Sequence, residues 1–509
     1  MSEADTINKL LEAGDAEAPA LGAPGREALS YQRLRALRDR TIQALNRMRV
    51  GRGDRVAIVL PNGPEMASAF VTIACAATAA PLNPNYRHNE FDFYLSDLNA
   101  KVLVVAAGRD SPARAAAAER GVPIVELVAD STGQAGEFTL RPPASLTGDA
   151  ANPGATASDD VALVLHTSGT TSRPKIVLLT HRNLTASALN IRNTLRLGRD
   201  DVCLNIMPLF HIHGLIGAVL SSIAAGASVV CAPGFDAMKF FRWFREANPT
   251  WYTAVPTMHQ ALLMRAARSS DVVKAGRLRL IRSSSSALAP QVMEELERVF
   301  GVPVLESYGM TEASHQMASN PLPPGKRFAG SVGVAAGPEV AIMNEAGELL
   351  QANALGEVVI RGRNVTAGYE NNPEANARAF TNGWLRTGDQ GYLDDDGYLR
   401  LTGRLKELIN RGGEKISPLE IDVALMDHPA VAQAVAFAMP HQMLGEEVAA
   451  AVVLREGMTV DEPELRAFVR TRLADFKVPR RILFLDSIPK GPTGKLQRIG
   501  LAQVLGLGT

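Results

Sequence analysis

Short apolar runs alternate with helical patterns through most of the chain. Arg55 to Leu60 reads as a strand, Pro64 to Ala79 as a helix and Lys101 to Ala106 as another strand. Val161 to Leu165 and Ile176 to Leu179 are two further buried runs, and strands recur at Ser228 to Cys231, Thr250 to Ala254 and Leu278 to Ser283. Strands separated by helices predict an α/β fold of layered, mostly parallel sheets with helices on their faces. The Ala-rich stretch Ala113 to Ala118 predicts a surface helix, and Leu146 to Asp159, rich in Gly, Ala, Asn, Pro and Asp, predicts a linker. Near Gly403 the character changes. Val431 to Ala438 and Glu447 to Leu454 predict strands, while Leu465, Phe468, Val469 and Leu473 share one helix face, with Asp461 as cap and Pro463 in the first turn. The pattern predicts a large N-terminal domain, 1–403, and a small α+β C-terminal domain, 404–509. The stretch LTGRLKELINRGGEKISP joins them, and its Gly412 and Gly413 suit a hinge.

Composition narrows the class. At roughly 150 residues per domain, 509 residues predict two to four folding units. Lys plus Arg and Asp plus Glu both number 53, so the basic excess usual in nucleic-acid binding is missing, and any anionic ligand must be met by local charge. Cys75, Cys203 and Cys231 sit in apolar surroundings without metal-ligand spacing, which points to core thiols in a reducing compartment. The opening MSEADTINKL has no basic and apolar signal pattern, no run of 18 apolar residues follows, and the final Gly-Leu-Gly-Thr is not a peroxisomal address. The expectation is a cytoplasmic protein without a membrane span. Oligomeric state is left open.

Candidate chemistry begins at HTSGTTSRPKIVLLTH, His166 to His181, a hydroxyl-rich loop between two strands. Gly169 permits close backbone approach, Ser168, Thr170, Thr171 and Ser172 offer hydroxyls, and Arg173 and Lys175 add positive charge, all suited to phosphate oxygens. It is not the G-x-x-x-x-G-K-[ST] loop, because the second glycine and the Lys-Ser/Thr pair are missing. SYGMTEAS places Tyr308, Gly309, Met310, Thr311 and Glu312 after a strand, combining a ring that can stack, a hydroxyl and a carboxylate suited to Mg²⁺. Asp389 and Arg404 lie in glycine-rich turns where a carboxylate can accept from ribose hydroxyls. DSIPKGPTGKLQR presents Lys490 and Lys495 between turn residues. Each segment alone is equally a solvated turn or a polar linker.

Five motifs in this order are a specific signal. SGTTSRPK, SYGMTEAS, RTGD, GRLKELINRGGEKISP and PKGPTGK resemble the adenylate-forming superfamily of acyl-CoA synthetases, luciferases and carrier-protein adenylation domains, over nearly the whole chain. One departure is Ile176, where the superfamily commonly has glycine. The resemblance implies an added β-barrel-like subdomain and a mobile C-terminal lid. It implies ATP, Mg²⁺ and coenzyme A. A carboxylate attacks the α-phosphorus of ATP to give an acyl-adenylate and diphosphate; the CoA thiol then displaces AMP. It places Glu312 on Mg²⁺, Lys495 on the transition-state charge, the loop 168–172 with Lys175 on the phosphates and Tyr308, with Gly309 and Met310, against adenine. Thr311 falls near the α-phosphate, and Asp389 with Arg404 on the ribose. The small domain is implied to turn about Lys406, exchanging Lys495 for the Gly412-Gly413 turn beside the pantetheine.

The acyl pocket is expected to be polar. PLFHIHGL offers His211 and His213, IRSSSSALAP offers Ser283 to Ser286, and His315 follows Glu312 by three positions. An apolar acyl chain would leave such buried donors unsatisfied, at about 1–3 kcal/mol each, whereas a second carboxylate would satisfy them. These segments resemble oxalate–CoA ligases, which assigns His213, Ser284, Ser285 and His315 to a small dicarboxylate and His211 to the wall gating acyl and CoA access. Single histidines or serines here are also compatible with satisfied core roles. A ligase for malonate or a short fatty acid, an enzyme loading a carrier protein, and an idle nucleotide-binding scaffold remain open alternatives.

Overall fold

The computed structural model describes residues 4–130, 132–167, 174–490 and 496–507. Its body consists of two large sheets. The first has seven strands in the order Phe138–Arg141, Ile124–Ala129, Val102–Ala106, Arg55–Val59, Thr78–Pro81, Val161–Thr167 and Lys175–Thr180. The last two strands are antiparallel, and the expected phosphate-binding residues Ser168, Gly169, Thr170, Thr171 and Ser172 fall between them, outside the described residues. Ile176 stands opposite His166 in this pair, and its branched side chain packs into an apolar cluster with Ala57, Ala80 and Val164. A β-branched residue suits extended backbone, so the departure from glycine is accommodated by strand geometry.

The second sheet has nine strands in the order Val334–Ala335, His315–Ser319, Val304–Met310, Leu280–Ser284, Trp251–Ala254, Val202–Asn205, Ser228–Cys231, Pro19–Ala23 and Arg26–Ser30. It is parallel from Val304–Met310 through Pro19–Ala23. Helices Pro64–Ala74 and His181–Thr194 pack between the two sheets. Apart from Glu65, every residue of the first of these is buried, as a helix covered on both faces requires.

Three sequence expectations change here. The helix from Pro64 stops at Ala74 instead of Ala79, and Thr78–Pro81 becomes a strand parallel to Arg55–Val59. An alanine-rich run has no periodicity to choose between states, and the vacant edge beside Arg55–Val59 decides it. The stretch from Leu146 to Asp159 is irregular but separates no domains, since Ala79 and Leu163 on either side of it pair in one sheet. The helix Pro112–Glu119 is likewise more than a surface element, because Ala113, Ala116 and Ala117 are fully buried.

An antiparallel five-stranded sheet stands where the barrel-like subdomain is expected. Glu339–Met343, Gly356–Arg361, Trp384–Leu393 and Phe380–Thr381 lie in that order, with Leu399–Arg404 also on Trp384–Leu393. After a turn at Leu405 to Glu407 the C-terminal sheet begins, in the order Glu414–Ile416, Ile409–Arg411, Gly445–Leu454 and Val431–His441, with Arg481–Phe484 beside Gly445–Leu454. The helix Glu462–Arg470 carries Leu465 and Val469 into this core, and Asp461 caps it by accepting from the Glu464 N–H at 2.8 Å. Phe468 and Leu473, expected on the same buried face, are only partly covered, and the Arg472 guanidinium lies 3.6 Å over the Phe468 ring. Arg498 ties the junction to this unit, 3.3 Å from Glu407 and paired with Asp422. Among the described residues, no helix is long and apolar enough to cross a membrane.

Candidate active site

Parallel strands raise their C-terminal ends on one rim, where open α/β sheets bind ligands. On this rim Asn205, Thr253, Arg282 and Leu305 are in register on four neighbouring strands. The strand Val304–Met310 then runs into a tight turn, Thr311–Ala313, before reversing as His315–Ser319. The reversal is sterically demanding. Ser314 and His315 have φ of 50° and 102°, and a Cβ on Gly309 would lie 1.7 Å from the His315 carbonyl oxygen. Gly309 is therefore needed for close backbone approach, and Met310 pairs with His315 across the reversal.

One group of expected residues converges around this turn. The Tyr308 hydroxyl donates to Asp389, and Asp389 stands opposite Arg404 in the antiparallel pair, with Nε 3.2 Å from the carboxylate. Asp389 holds the Arg404 guanidinium firmly charged. Glu312 is buried, and desolvation raises its pKa above the usual range, opposed by a 2.8 Å bond from the Tyr369 hydroxyl and by nearby Lys175. Lys175 Nζ lies 4.2 Å over the Tyr369 ring, and burial lowers its pKa. Thr311 opens the turn half-buried. Lys406 lies in the turn after Arg404, close enough to Lys175 to oppose its charge. Tyr369 was missed in the sequence, where TAGYENN carries no motif.

The other group forms a buried polar cluster. His213 opens a stretch of π-helix, His213–Leu220, a form that clusters at functional sites. Its ring stacks on His315 with centroids 4.8 Å apart. His213 Nε2 is 2.6 Å from the Thr253 hydroxyl, and Nδ1 is 3.0 Å from the Ser285 hydroxyl. Ser285 has φ of 75°, an uncommon conformation for a residue with a side chain. Gly217 makes room for the stack: a Cβ there would sit 2.8 Å from the His315 ring. Beneath His315 lies Arg282, with no exposed surface, donating to His315 Nε2 at 3.0 Å and to Gln316 Oε1 at 3.3 Å. Burial lowers its pKa to about 9. Arg282 and Thr253 were also missed, although a charge directly after the apolar pair Leu280-Ile281 within a strand is a readable signal.

Not every expected residue joins. Ser284 is the last residue of its strand, and its hydroxyl donates to the Ser307 carbonyl at 3.0 Å on the neighbouring strand, while Ser285 just beyond the strand end reaches His213. His211 is half-buried, and its Nδ1 accepts from the His213 N–H at 3.4 Å. Gly412 and Gly413, with φ of 60° and 97°, make the two-residue turn between Ile409–Arg411 and Glu414–Ile416, and the Gly412 N–H donates to Leu444. This turn belongs to the C-terminal sheet, and a Cβ on Gly413 would meet nothing within 4 Å. Lys495 lies outside the described residues, between Lys490 and Leu496, which pair as an isolated bridge. An open cleft of about 920 Å³ lies beside Asn62, Arg109, Pro233 and Trp243, and Asn62 accepts from the Leu209 N–H next to His211 at 2.8 Å.

Behind the sheet, on the other face, Glu306 is buried with one oxygen accepting from the Leu288 N–H at 2.8 Å, and burial raises its pKa to about 8. The folded protein holds a proton that the unfolded chain releases above its ordinary value of 4.5, so this stabilisation is full below pH 4.5 and is lost as pH rises through 8. Glu306→Gln keeps a neutral acceptor and is expected to stabilise the protein at pH 8 by about a few kcal/mol relative to the original chain, with little effect at pH 5. Thermal melts at both pH values check this, and equal effects at both would contradict it.

The model of the AMP-binding enzyme family matches residues 12–370, and that of the AMP-binding enzyme C-terminal domain matches 420–495. The chain belongs to the AMP-binding enzyme family. Among its relatives, an oxalate–CoA ligase of Arabidopsis thaliana is 47% identical over 98% of this chain and 99% of its own. An oxalate–CoA ligase of Saccharomyces cerevisiae is 46% identical over 89% of this chain and 87% of its own. The solved structure of ATP-bound MatB from Rhodopseudomonas palustris superposes with a TM-score of 0.86 at 30% identity, covering 98% of this chain and 99% of that one. As an AMP-binding enzyme the chain is an acid–thiol ligase, with ATP and coenzyme A as substrates.

Proposed function

We propose that the chain converts oxalate, ATP and CoA to oxalyl-CoA, AMP and diphosphate. The observation that carries this reading is the polar cluster of buried His213 and His315 with half-buried Ser285, stacked and hydrogen-bonded at the rim of the nine-stranded sheet. The second carboxylate of oxalate can hydrogen-bond with this polar cluster, whereas an apolar acid offers it no hydrogen bond. The two oxalate–CoA ligases among the relatives support the same acid. Malonate, fatty acids and carrier-protein loading are not favoured.

In the first half-reaction one oxalate carboxylate attacks the α-phosphorus, and the bond to diphosphate breaks. Lys175, with the loop 168–172, is assigned to the phosphates, Thr311 to the α-phosphate, Tyr308 with Gly309 and Met310 to adenine, and Asp389 with Arg404 to the ribose. Lys495 is assigned to the charge of the transition state. Glu312 suits Mg²⁺, since it is a buried hard-oxygen donor whose raised pKa a cation would offset. Mg²⁺ held there would neutralise phosphate charge. In the second half-reaction the CoA sulfur attacks the acyl carbon, the thiol proton leaves and AMP departs. We place the domain boundary at 403/404 and the hinge at Lys406. The pantetheine path is placed past His211 and the Gly412-Gly413 turn, from the cleft beside Asn62, whose volume suits a nucleotide-sized ligand. A cytoplasmic location fits three buried free cysteines.

Carboxylate-dependent exchange of labelled diphosphate into ATP is the test, with oxalate, malonate, acetate, octanoate and a hydroxycinnamate, followed by thioester detection. Oxalate is expected to exceed the others by at least about tenfold. Preference for a monocarboxylate would keep the ligase chemistry and return the histidine cluster to a structural role.

A further inference from the structure

The Arg282 guanidinium is a buried cation with no carboxylate partner among the described residues. Its Nε has no hydrogen-bond partner, and among the described residues its side chain hydrogen-bonds to His315 and Gln316. Gln316 is itself held in one orientation, because its Nε2 donates to Thr194 at 3.0 Å and to the Ala336 carbonyl at 3.1 Å. Arginine donates and never accepts. The His315 nitrogen facing it must therefore be the lone-pair nitrogen, which places the ring proton on Nδ1. An isolated buried charge is expensive, by several kcal/mol, unless something compensates it. Among the described residues no ion pair accounts for this one, while His315, stacked on His213, bonds it directly.

We propose that Arg282 is a positioning and specificity-determining residue for the acid: it holds His315 as an Nδ1–H donor and supplies the positive charge that favours a second carboxylate over a neutral group. This rests on the acid pocket assigned above. Arg282 acts through His315, so it selects among acids without touching ATP. The fold itself does not supply the counter-charge; a bound dianion does.

Two variants of the full-length protein test this, using KM and kcat for oxalate and acetate and KM for ATP. Arg282→Met is expected to raise KM for oxalate roughly 10- to 100-fold, the range for a charged hydrogen bond, with KM for acetate and ATP changed less than about twofold. Arg282→Lys keeps the charge and is expected to recover part of the oxalate affinity, and it keeps the test valid if the methionine variant folds poorly. An unchanged oxalate KM in the methionine variant would overturn the proposal. So would an equal loss on oxalate and acetate, or a lysine variant no better than methionine while both are folded. If the original chain does not activate oxalate at all, the function reading fails first, and that result is separate from any effect of Arg282.

Discussion

A Lys495→Ala variant is expected to lose oxalate-dependent diphosphate exchange by about 10²- to 10³-fold, the range for removing one preorganised group from a developing charge. Adenylation brings a carboxylate against a triphosphate, so repulsion between anions dominates its barrier, and an ammonium beside the α-phosphate relieves it. Thioester formation has no such meeting of anions. Supplied with preformed oxalyl-adenylate, the same variant is therefore expected to make oxalyl-CoA within a few-fold of the original rate. The split follows from the proposed turn of the small domain about Lys406 between half-reactions, which would carry Lys495 away. Measuring both half-reactions on one preparation decides the matter, since comparable loss in both would argue against domain alternation. Lys495 ends the stretch matched by the C-terminal family model.

His213→Ala and His315→Ala are each expected to raise KM for oxalate roughly 10- to 100-fold while leaving KM for ATP within about twofold. His213 stands between two hydroxyls, at 2.6 Å from Thr253 and 3.0 Å from Ser285, so its loss releases both. His315 stacks on it and accepts from Arg282, so its loss exposes the buried cation directly. Gly217→Ala makes a useful companion, because its Cβ would press on the His315 ring at 2.8 Å and spoil the stack without removing a donor. Oxalate kinetics unchanged in both histidine variants would remove the pocket assignment.

Much of the fold was legible where periodicity was strong. The strands at Val161, Ser228, Thr250 and Leu278 and the capped helix after Asp461 appear within a few residues of their expected places. Expectation failed where alanine removed the pattern, at Cys75 to Pro81, since small side chains pack equally well in a helix between sheets or in a strand within one. The site divides in the same way. Tyr308, Glu312, Asp389 and Arg404 were found because they sit in runs of turn residues with distinctive neighbours. Arg282, Tyr369 and Thr253 sit in ordinary strand or loop sequence and matter through partners 33, 57 and 40 positions away in the chain.

The amino-acid order alone therefore determined the reaction class, because the groups assigned to nucleotide and developing charge are local: a carboxylate, an ammonium and hydroxyls at fixed spacing within short segments. Only the tertiary structure decided which of the serines and histidines come together in the cluster proposed to read the acid. Ser284 ends its strand bonded to the Ser307 carbonyl, Ser285 just beyond it turns at φ of 75° and reaches His213, and strand register sets Arg282 beside Thr253. Direction and register depend on backbone pairing between distant strands, and no single segment carries that information.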